Sequence, residues 1–354
     1  MKILYAIQGT GNGHLSRAQE IVPIINKYAQ TTVLVSGNQS QIQSNFDINY
    51  QKTGLTFLSG KTGKIDLLRT VFKSHPIDFF NEIRTFPIKQ FDLVLTDFEP
   101  VAAWSALMHG VPCIEMSHQA AVIHANAPKP NTRNRLGEYI LHHYCPTKEK
   151  VGFHFEAYGP HIHTPVIRQA IRQMDTQNLG HYTVYLPAYH DEVLLQFLKQ
   201  FPVKWEVFSK FTKEKSTNGN VSFHPIDEKE FSCSFAHCEG VLCGAGFELP
   251  AEAMFLKKKI LVIPMKGQYE QQCNAVSAQG VGATMIDGLN LLHHRTINLW
   301  LSQGSPVHVD FQDQTESIVH ATLNHYLRDK EEMELERFKE KTILEKLSVL
   351  KYLF

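Results

Sequence analysis

Short apolar runs alternate with helical patterns along nearly the whole chain. Ile3 to Ile7 is an unbroken apolar run, the mark of a strand covered on both faces. Over His14 to Tyr28 the spacing becomes helical, with Ala18, Ile21, Val22, Ile25 and Tyr28 on one face. Pro23 lies inside that helix and predicts a kink or an irregular turn. Thr31–Val35, Leu93–Thr96 and Pro112–Met116 predict further strands, with a helix over Val101–His109 between the last two. Residues 60–90 fit less well, as helical pieces broken at Pro76 and Pro87.

The second half restarts the pattern. Strands are predicted at Tyr182–Leu186, Trp205–Phe208, Val221–Phe223, Gly240–Leu242, Ile260–Ile263 and Ala283–Met285. Helices are predicted at Asp191–Lys199, Asp227–Ala236, Glu248–Leu256 and Tyr269–Gln279. Residues 313–354 read as helix, polar at first and then apolar at Ile343, Leu344, Leu347, Leu350 and Leu353. Such alternation predicts an α/β protein of parallel sheets with crossover helices. Between the halves, YGPHIHTPVIR (158–168) carries two prolines and reads as a stiff linker. The expected domains are 1–164 and 165–330, followed by a terminal helix over 331–354. In doubly wound sheets ligands bind outside the carboxyl ends of the strands, so the chemistry belongs in the loops after them.

Composition narrows the function. At 354 residues the chain is too long for one ordinary α/β layer and suits two domains. Its 43% apolar content supports real cores, and 35 basic against 35 acidic residues argue against a nucleic-acid binder. No apolar run approaches the ~20 residues of a membrane span; Val101–Met108 stops at His109. The N-terminus shows no apolar signal core. Six irregularly spaced cysteines read as reduced, mostly buried thiols of a cytoplasmic protein. Cys238 and Cys243 are a poor metal pair because Cys243 ends an apolar strand, and the histidines at 142, 143, 154, 161 and 163 show no metal-ligand spacing.

The first strand runs into Gln8-Gly9-Thr10-Gly11-Asn12-Gly13-His14-Leu15-Ser16-Arg17. A dinucleotide fingerprint fails here, because its third glycine falls on His14 or Ser16. Strand two ends Ser36-Gly37-Asn38, with no acid to hold a nicotinamide ribose, which argues against a dehydrogenase. What remains is His14 at a helix mouth. A neutral imidazole there can take a proton from a hydroxyl, and the helix N-terminus would lower its pKa. Alternatively His14 caps the turn. Arg17, one turn on, binds an anionic group or lies on the helix surface.

A second turn follows the strand Val241-Leu242-Cys243: Gly244-Ala245-Gly246-Phe247-Glu248-Leu249-Pro250-Ala251-Glu252. Gly244 and Gly246 leave room for a diphosphate at a helix N-terminus. Glu252, about one turn inside, can accept hydrogen bonds from ribose hydroxyls. Gln271 and Asn274, three apart on the next helix, share a face and suit a sugar.

This order of strand, small-Gly loop, Glu-Ala helix, strand ending in Pro264, then Glu270-Gln271-x-x-Asn274-Ala275 resembles the donor site of GT-B glycosyltransferases. It is most similar to the branch with the peptidoglycan UDP-GlcNAc transferase and the diacylglycerol galactosyltransferases. The glycine loop ending in His14, Leu93–Pro100, Gly110-Val111-Pro112 and Ser117-His118-Gln119 resemble an incompletely characterised bacterial and archaeal group of that fold. The resemblance implies two doubly wound Rossmann-like domains facing a central cleft, with the C-terminal helix crossing back. It implies inverting transfer of a sugar from a nucleoside diphosphate sugar, UDP first, to a hydroxyl of a cell-envelope glycan or glycolipid. No metal or other cofactor is implied.

Residue by residue, the resemblance has Gly244, Gly246 and Phe247 offer N–H groups to the diphosphate and Glu252 bind the ribose. Glu270, Gln271 and Asn274 read the sugar or a phosphate, and the base sits near Phe223 to Ile226. Ala245 departs from the usual second glycine, and Phe247-Glu248 from the usual Ser or Thr; Glu248 is costly beside a diphosphate. Gly11, Gly13, Arg17, His118 and Gln119 face the acceptor side or make local backbone bonds. Asp97 and Glu99 follow a strand, and either is the base or orients His14; alternatively Asp97 caps the next helix. Arg69–Phe80 mixes aromatic and basic residues, as a solvated helix or as a contact with the inner membrane face. Two rivals stand beside transfer: a hydrolase with the same Gly11-x-Gly13-His14-x-x-Arg17 opening, and a non-catalytic nucleotide-sugar sensor.

Overall fold

The computed structural model describes residues 1–9, 11–37, 44–54, 76–132 and 134–351. In the first half, strands β1 (Lys2–Gln8), β2 (Gln30–Ser36), β3 (Tyr50–Lys52), β4 (Leu93–Asp97), β5 (Cys113–Ser117), β6 (Glu149–Phe153) and β7 (Ile162–His163) form one sheet. Its order is β3-β2-β1-β4-β5-β6-β7, and every pairing is parallel. Helices α1 (Asn12–Ile25), α2 (Pro76–Thr85), α3 (Pro100–His109), α4 (His118–Val122) and α5 (Arg135–His143) connect them. Ile3 to Ile7 are fully buried, as a central parallel strand requires. Leu4, Ala6, Leu34 and Val94 pack against Phe86, Ile88 and Phe91 and against Ala102 and Ala106 of α3.

After α6 (Gln169–Arg172) the second sheet comprises β8 (His181–Tyr185), β9 (Lys204–Phe208), β10 (Ser216–Asn218), β11 (Val221–His224), β12 (Gly240–Gly244), β13 (Lys259–Ile263) and β14 (Thr284–Met285). Its order is β10-β11-β9-β8-β12-β13-β14, parallel except for the β10–β11 hairpin. Its helices are α7 (Asp191–Leu198), α8 (Glu228–His237), α9 (Glu248–Phe255), α10 (Tyr269–Gly280) and α11 (His294–Gln303). Trp205, Val207, Val221 and Leu261 pack under Leu194, Phe197, Ile297 and Trp300. Each sheet reverses its strand order once, between β1 and β4 and between β8 and β12. These are the two points where such sheets bind ligands.

Residues 1–312, with both sheets, form one compact unit, whereas the sequence reading separates the sheets at 164. Side chains join them: Phe98, Val122, Leu141 and Tyr144 share an apolar cluster with Tyr269 and Cys273. The presumed linker is partly sheet, since β7 pairs with β6. The second unit, 313–354, holds α12 (Thr315–Lys351), which falls within the stretch read as helix from 313 and contains 331–351 of the expected terminal helix. Helix α1 keeps Pro23 inside it, and the carbonyl of Gln19, whose helical donor proline lacks, is met by the Asn45 amide at 3.5 Å. All six cysteines are free thiols. Among the described residues no helix is long and apolar enough to cross a membrane. Thr10, Asn38 and residues 69–75 of the aromatic-basic stretch lie outside the described residues.

Candidate active site

The first glycine turn is built by close approach. A Cβ on Gly9 would stand 2.8 Å from the Ser36 carbonyl oxygen, which accepts the Gly9 N–H at 2.6 Å. Gly11 holds φ at 119°, a conformation open to glycine, and α1 starts on the next residue with no side-chain cap. That places His14 and Arg17 on consecutive turns beside the end of β4. The β1–β4 register sets Ile7 against Asp97, so the carboxylate lies under the helix mouth.

His14 Nδ1 donates to Asp97 Oδ1 at 2.9 Å. Arg17 grips the same carboxylate twice, Nε to Oδ2 at 3.0 Å and Nη2 to Oδ1 at 2.6 Å. Its remaining arm, Nη1, binds Glu248 at the start of α9. Arg17 is 2% exposed and Asp97 is fully buried, while His14 keeps 13%. Burial pulls the His14 pKa down, but the Asp97 charge and hydrogen bond outweigh it and raise the imidazole above its ordinary value. The expectation that the helix mouth would lower it is thus overturned by Asp97. Burial likewise pushes Asp97 up, yet Arg17 and His14 hold it below the usual carboxylate range.

Between Asp97 and Glu99 the backbone takes an unusual path. Phe98 has φ 57°, uncommon for an aromatic residue. The kink sends the two carboxylates in different directions. Glu99 is the N-cap of α3, accepting from Val101 N–H at 2.8 Å and Ala102 N–H at 2.6 Å. Two readings are corrected here: Asp97 is not the cap, and it is Asp97, not Glu99, that holds His14, because the Glu99 carboxylate is turned onto the start of α3. Burial pushes the Glu99 carboxyl up to about 7 even so.

The second turn lies where β12 ends. The Ala245 N–H donates to the Ile263 carbonyl at 3.0 Å, and its own carbonyl accepts from the Asn274 amide at 3.2 Å. A Cβ on Gly246 would meet nothing within 4 Å, so open space lies over that glycine. No side chain caps α9. Its first N–H groups are therefore without the usual side-chain acceptor.

The remaining candidates join the halves or brace loops. Phe247 stacks on His118 at 3.8 Å between ring centres and 7° between planes. His118 Nδ1 donates to the Phe153 carbonyl at 2.8 Å, and Nε2 lies 2.7 Å from Asn274 Oδ1. Burial lowers the His118 pKa. Gln119 donates to Glu270 at 3.1 Å. Gln271 accepts from the Met265 N–H at 2.9 Å and braces the loop after β13. Glu252 is buried, and Arg168 of the former linker takes both of its oxygens, at 2.6 and 2.9 Å. Ile226 is half-buried between β11 and α8 in the chain. Two partnerships escaped the sequence reading, Arg17 with Glu248 and Arg168 with Glu252, and no local signal marks either.

Two doubly wound sheets in one unit, with a His–Asp–Arg cluster after β1 and β4 and an uncapped glycine turn after β12, define a GT-B glycosyltransferase. Residues 1–303 match the model of glycosyl transferase family 1, and the chain belongs to that family. Among solved structures, MurG of Acinetobacter baumannii is 15% identical, covering 85% of this chain and 91% of its own with a TM-score of 0.51. The glycotransferase of kitacinnamycin is 14% identical over 93% and 95%, with a TM-score of 0.57. UGT89C1 of Arabidopsis thaliana, complexed with UDP, is 13% identical over 92% and 94%, with a TM-score of 0.54. These likenesses are of fold. No curated protein matches the chain in sequence.

Proposed function

We propose that the chain moves a sugar from a nucleoside diphosphate sugar, UDP first, to an acceptor hydroxyl of a glycan or glycolipid, with inversion. The observation that carries the reading is the His14–Asp97 pair, 2.9 Å apart, with Arg17 joining it directly to the first residue of α9. In the reaction His14 Nε2 takes the acceptor proton. The acceptor oxygen bonds the anomeric carbon as the bond to the diphosphate breaks. Asp97 fixes the imidazole and offsets the imidazolium charge. The leaving diphosphate lies against the N–H groups of Gly246, Phe247 and Glu248, where the helix N-terminus favours negative charge. That arrangement serves without a metal ion. One structural neighbour is complexed with UDP and another with dTDP, which supports a nucleoside diphosphate in the site.

Glu252 reaches ribose hydroxyls only while shared with Arg168, since a carboxylate has more acceptor sites than the two in use. Asn274 acts on the donor chiefly by holding the Ala245 carbonyl, and so the shape of the glycine turn.

The test is His14→Ala against a panel of UDP-, GDP- and dTDP-sugars, with product analysis. Donor binding stays within about threefold while turnover falls ~10²–10⁴-fold, the range of a lost general base. Free sugar released at full rate without acceptor would replace transfer by hydrolysis. Binding with no turnover in the wild type would leave a sensor.

A further inference from the structure

We propose that Glu248 is a built-in anion that occupies the place beside Arg17 until a nucleoside diphosphate displaces it, and that it thereby sets donor affinity. The inference rests on the donor reading above. Three features of the site converge on it.

First, Arg17 is a buried guanidinium with two arms fixed on Asp97 and one arm pointed at the second half of the chain. A fork of donors in this geometry suits a carboxylate or a phosphate equally. Second, the Glu248 carboxylate lies directly on the first glycine turn, where any Cβ on Gly13 would collide with it. Gly13 is thus the residue that lets an anion approach the mouth of α1. Third, Glu248 opens α9, so its backbone belongs to the uncapped N-terminus while its side chain reaches away to Arg17. The helix end is left open for one anion and the arginine is filled by another. Glu248 keeps 20% of its side-chain surface, whereas Arg17 keeps 2%. The carboxylate is the partner free to leave.

A diphosphate at α9 brings two negative groups next to Glu248. Held between Arg17 and the incoming phosphate, the carboxylate loses its advantage and turns to solvent. Arg17 Nη1 then takes a phosphate oxygen, one anion exchanged for another. Only the released state binds donor, so the apparent dissociation constant is the intrinsic one divided by the fraction of protein that is released.

Glu248→Gln keeps the shape and removes the charge. UDP binding, measured by calorimetry with GDP and dTDP in parallel, should tighten about tenfold, as expected if the latch is closed in roughly nine molecules of ten. Simple like-charge repulsion would give the same sign, so the measurement is repeated in Arg17→Lys. The lysine keeps a positive charge beside Asp97 but lacks the fork that spans both carboxylates. The latch predicts that the gain shrinks below about threefold there, a coupling that a double-mutant cycle reads directly. An equal gain in both backgrounds, no gain, or weaker binding in Glu248→Gln would overturn the proposal; weaker binding would make Glu248 a donor contact. A UDP complex of the wild type gives a second readout, in which Glu248 has left Arg17; persistence of their ion pair beside a bound diphosphate would also overturn it. Failure of all three nucleotides to bind either protein would remove the donor reading, and the latch with it.

Discussion

Replacing Asp97 by Asn removes one charge from the centre of the site with almost no change of shape. Asp97 Oδ1 lies 2.9 Å from His14 Nδ1. Two opposite unit charges about 3 Å apart attract by roughly 5 kcal/mol at an effective dielectric of ~20. Burial opposes the imidazolium most, and Arg17, whose Nη2 stands 3.3 Å from the same ring nitrogen, opposes it further but less than Asp97 favours it. The balance still lies with the carboxylate, to which Glu248 adds a smaller attraction, so the imidazole is held above its ordinary value. Losing Asp97 should therefore lower the His14 pKa, because burial and the Arg17 charge then act unopposed by it. The sign follows from the role. His14 must be neutral to accept a proton, so in the wild type the rate is lost as pH falls through an imidazole pKa above 6.5. In Asp97→Asn that acidic limb moves to lower pH. The rate on the plateau also falls, by ~10²–10⁴-fold, since a neutral amide no longer supports the imidazolium. The assay is paired: NMR titration of the ring protons of labelled His14, and the pH profile of nucleotide release. Thermal unfolding confirms that Asp97→Asn remains folded. An unmoved His14 titration in a folded variant would refute the reasoning, as would a full rate on an unmoved limb.

Other consequences are as direct. Gly246→Val fills open space, so its melting temperature should stay within about 2 °C of the wild type while UDP binding weakens at least about tenfold; equal binding by calorimetry would place the diphosphate elsewhere. Glu99 is a buried acid with a folded pKa of about 7, raised above its unfolded value, so the folded state holds its proton more tightly. Stability from this group is present below about pH 4.5 and is lost as pH rises through 7, on the order of 3 kcal/mol; Glu99→Gln should flatten that slope in denaturant titrations at pH 5 and 8. Arg168→Met leaves Glu252 buried without its partner and should cost ~3 kcal/mol by chemical denaturation, with a smaller loss if water reaches the carboxylate.

The sequence makes the central strands plain because they are covered on both faces. Ile3–Ile7 and Ile260–Ile263 are apolar throughout, as strands buried on both faces require. The elements at and next to one edge of the first sheet were hidden for the converse reason. Glu149–Phe153 begins with two charged residues and Ile162–His163 is two residues long inside a proline-rich stretch. Helix His294–Gln303 was missed although its apolar face carries Ile297 and Trp300. Within the site, the glycine turns and the residues following strands were legible, since strand ends face the ligand in this architecture. The sequence reading offers the cap to Asp97, whereas Glu99, which precedes the proline at the first helical position and is extended, holds it. The pairs Arg17–Glu248 and Arg168–Glu252 were not legible. Their partners are separated by 231 and 84 residues, and only the folded chain brings them together. The rise in the His14 pKa was lost with them, as it depends on the β1–β4 register that sets Asp97 beneath the helix.

The most direct measurement is a crystal structure with UDP bound. The diphosphate is predicted to lie about 3 Å from the backbone nitrogens of Gly246, Phe247 and Glu248, with His14 Nε2 facing the side on which the sugar would extend. A diphosphate bound away from the start of α9, with His14 directed at protein atoms alone, would contradict the account.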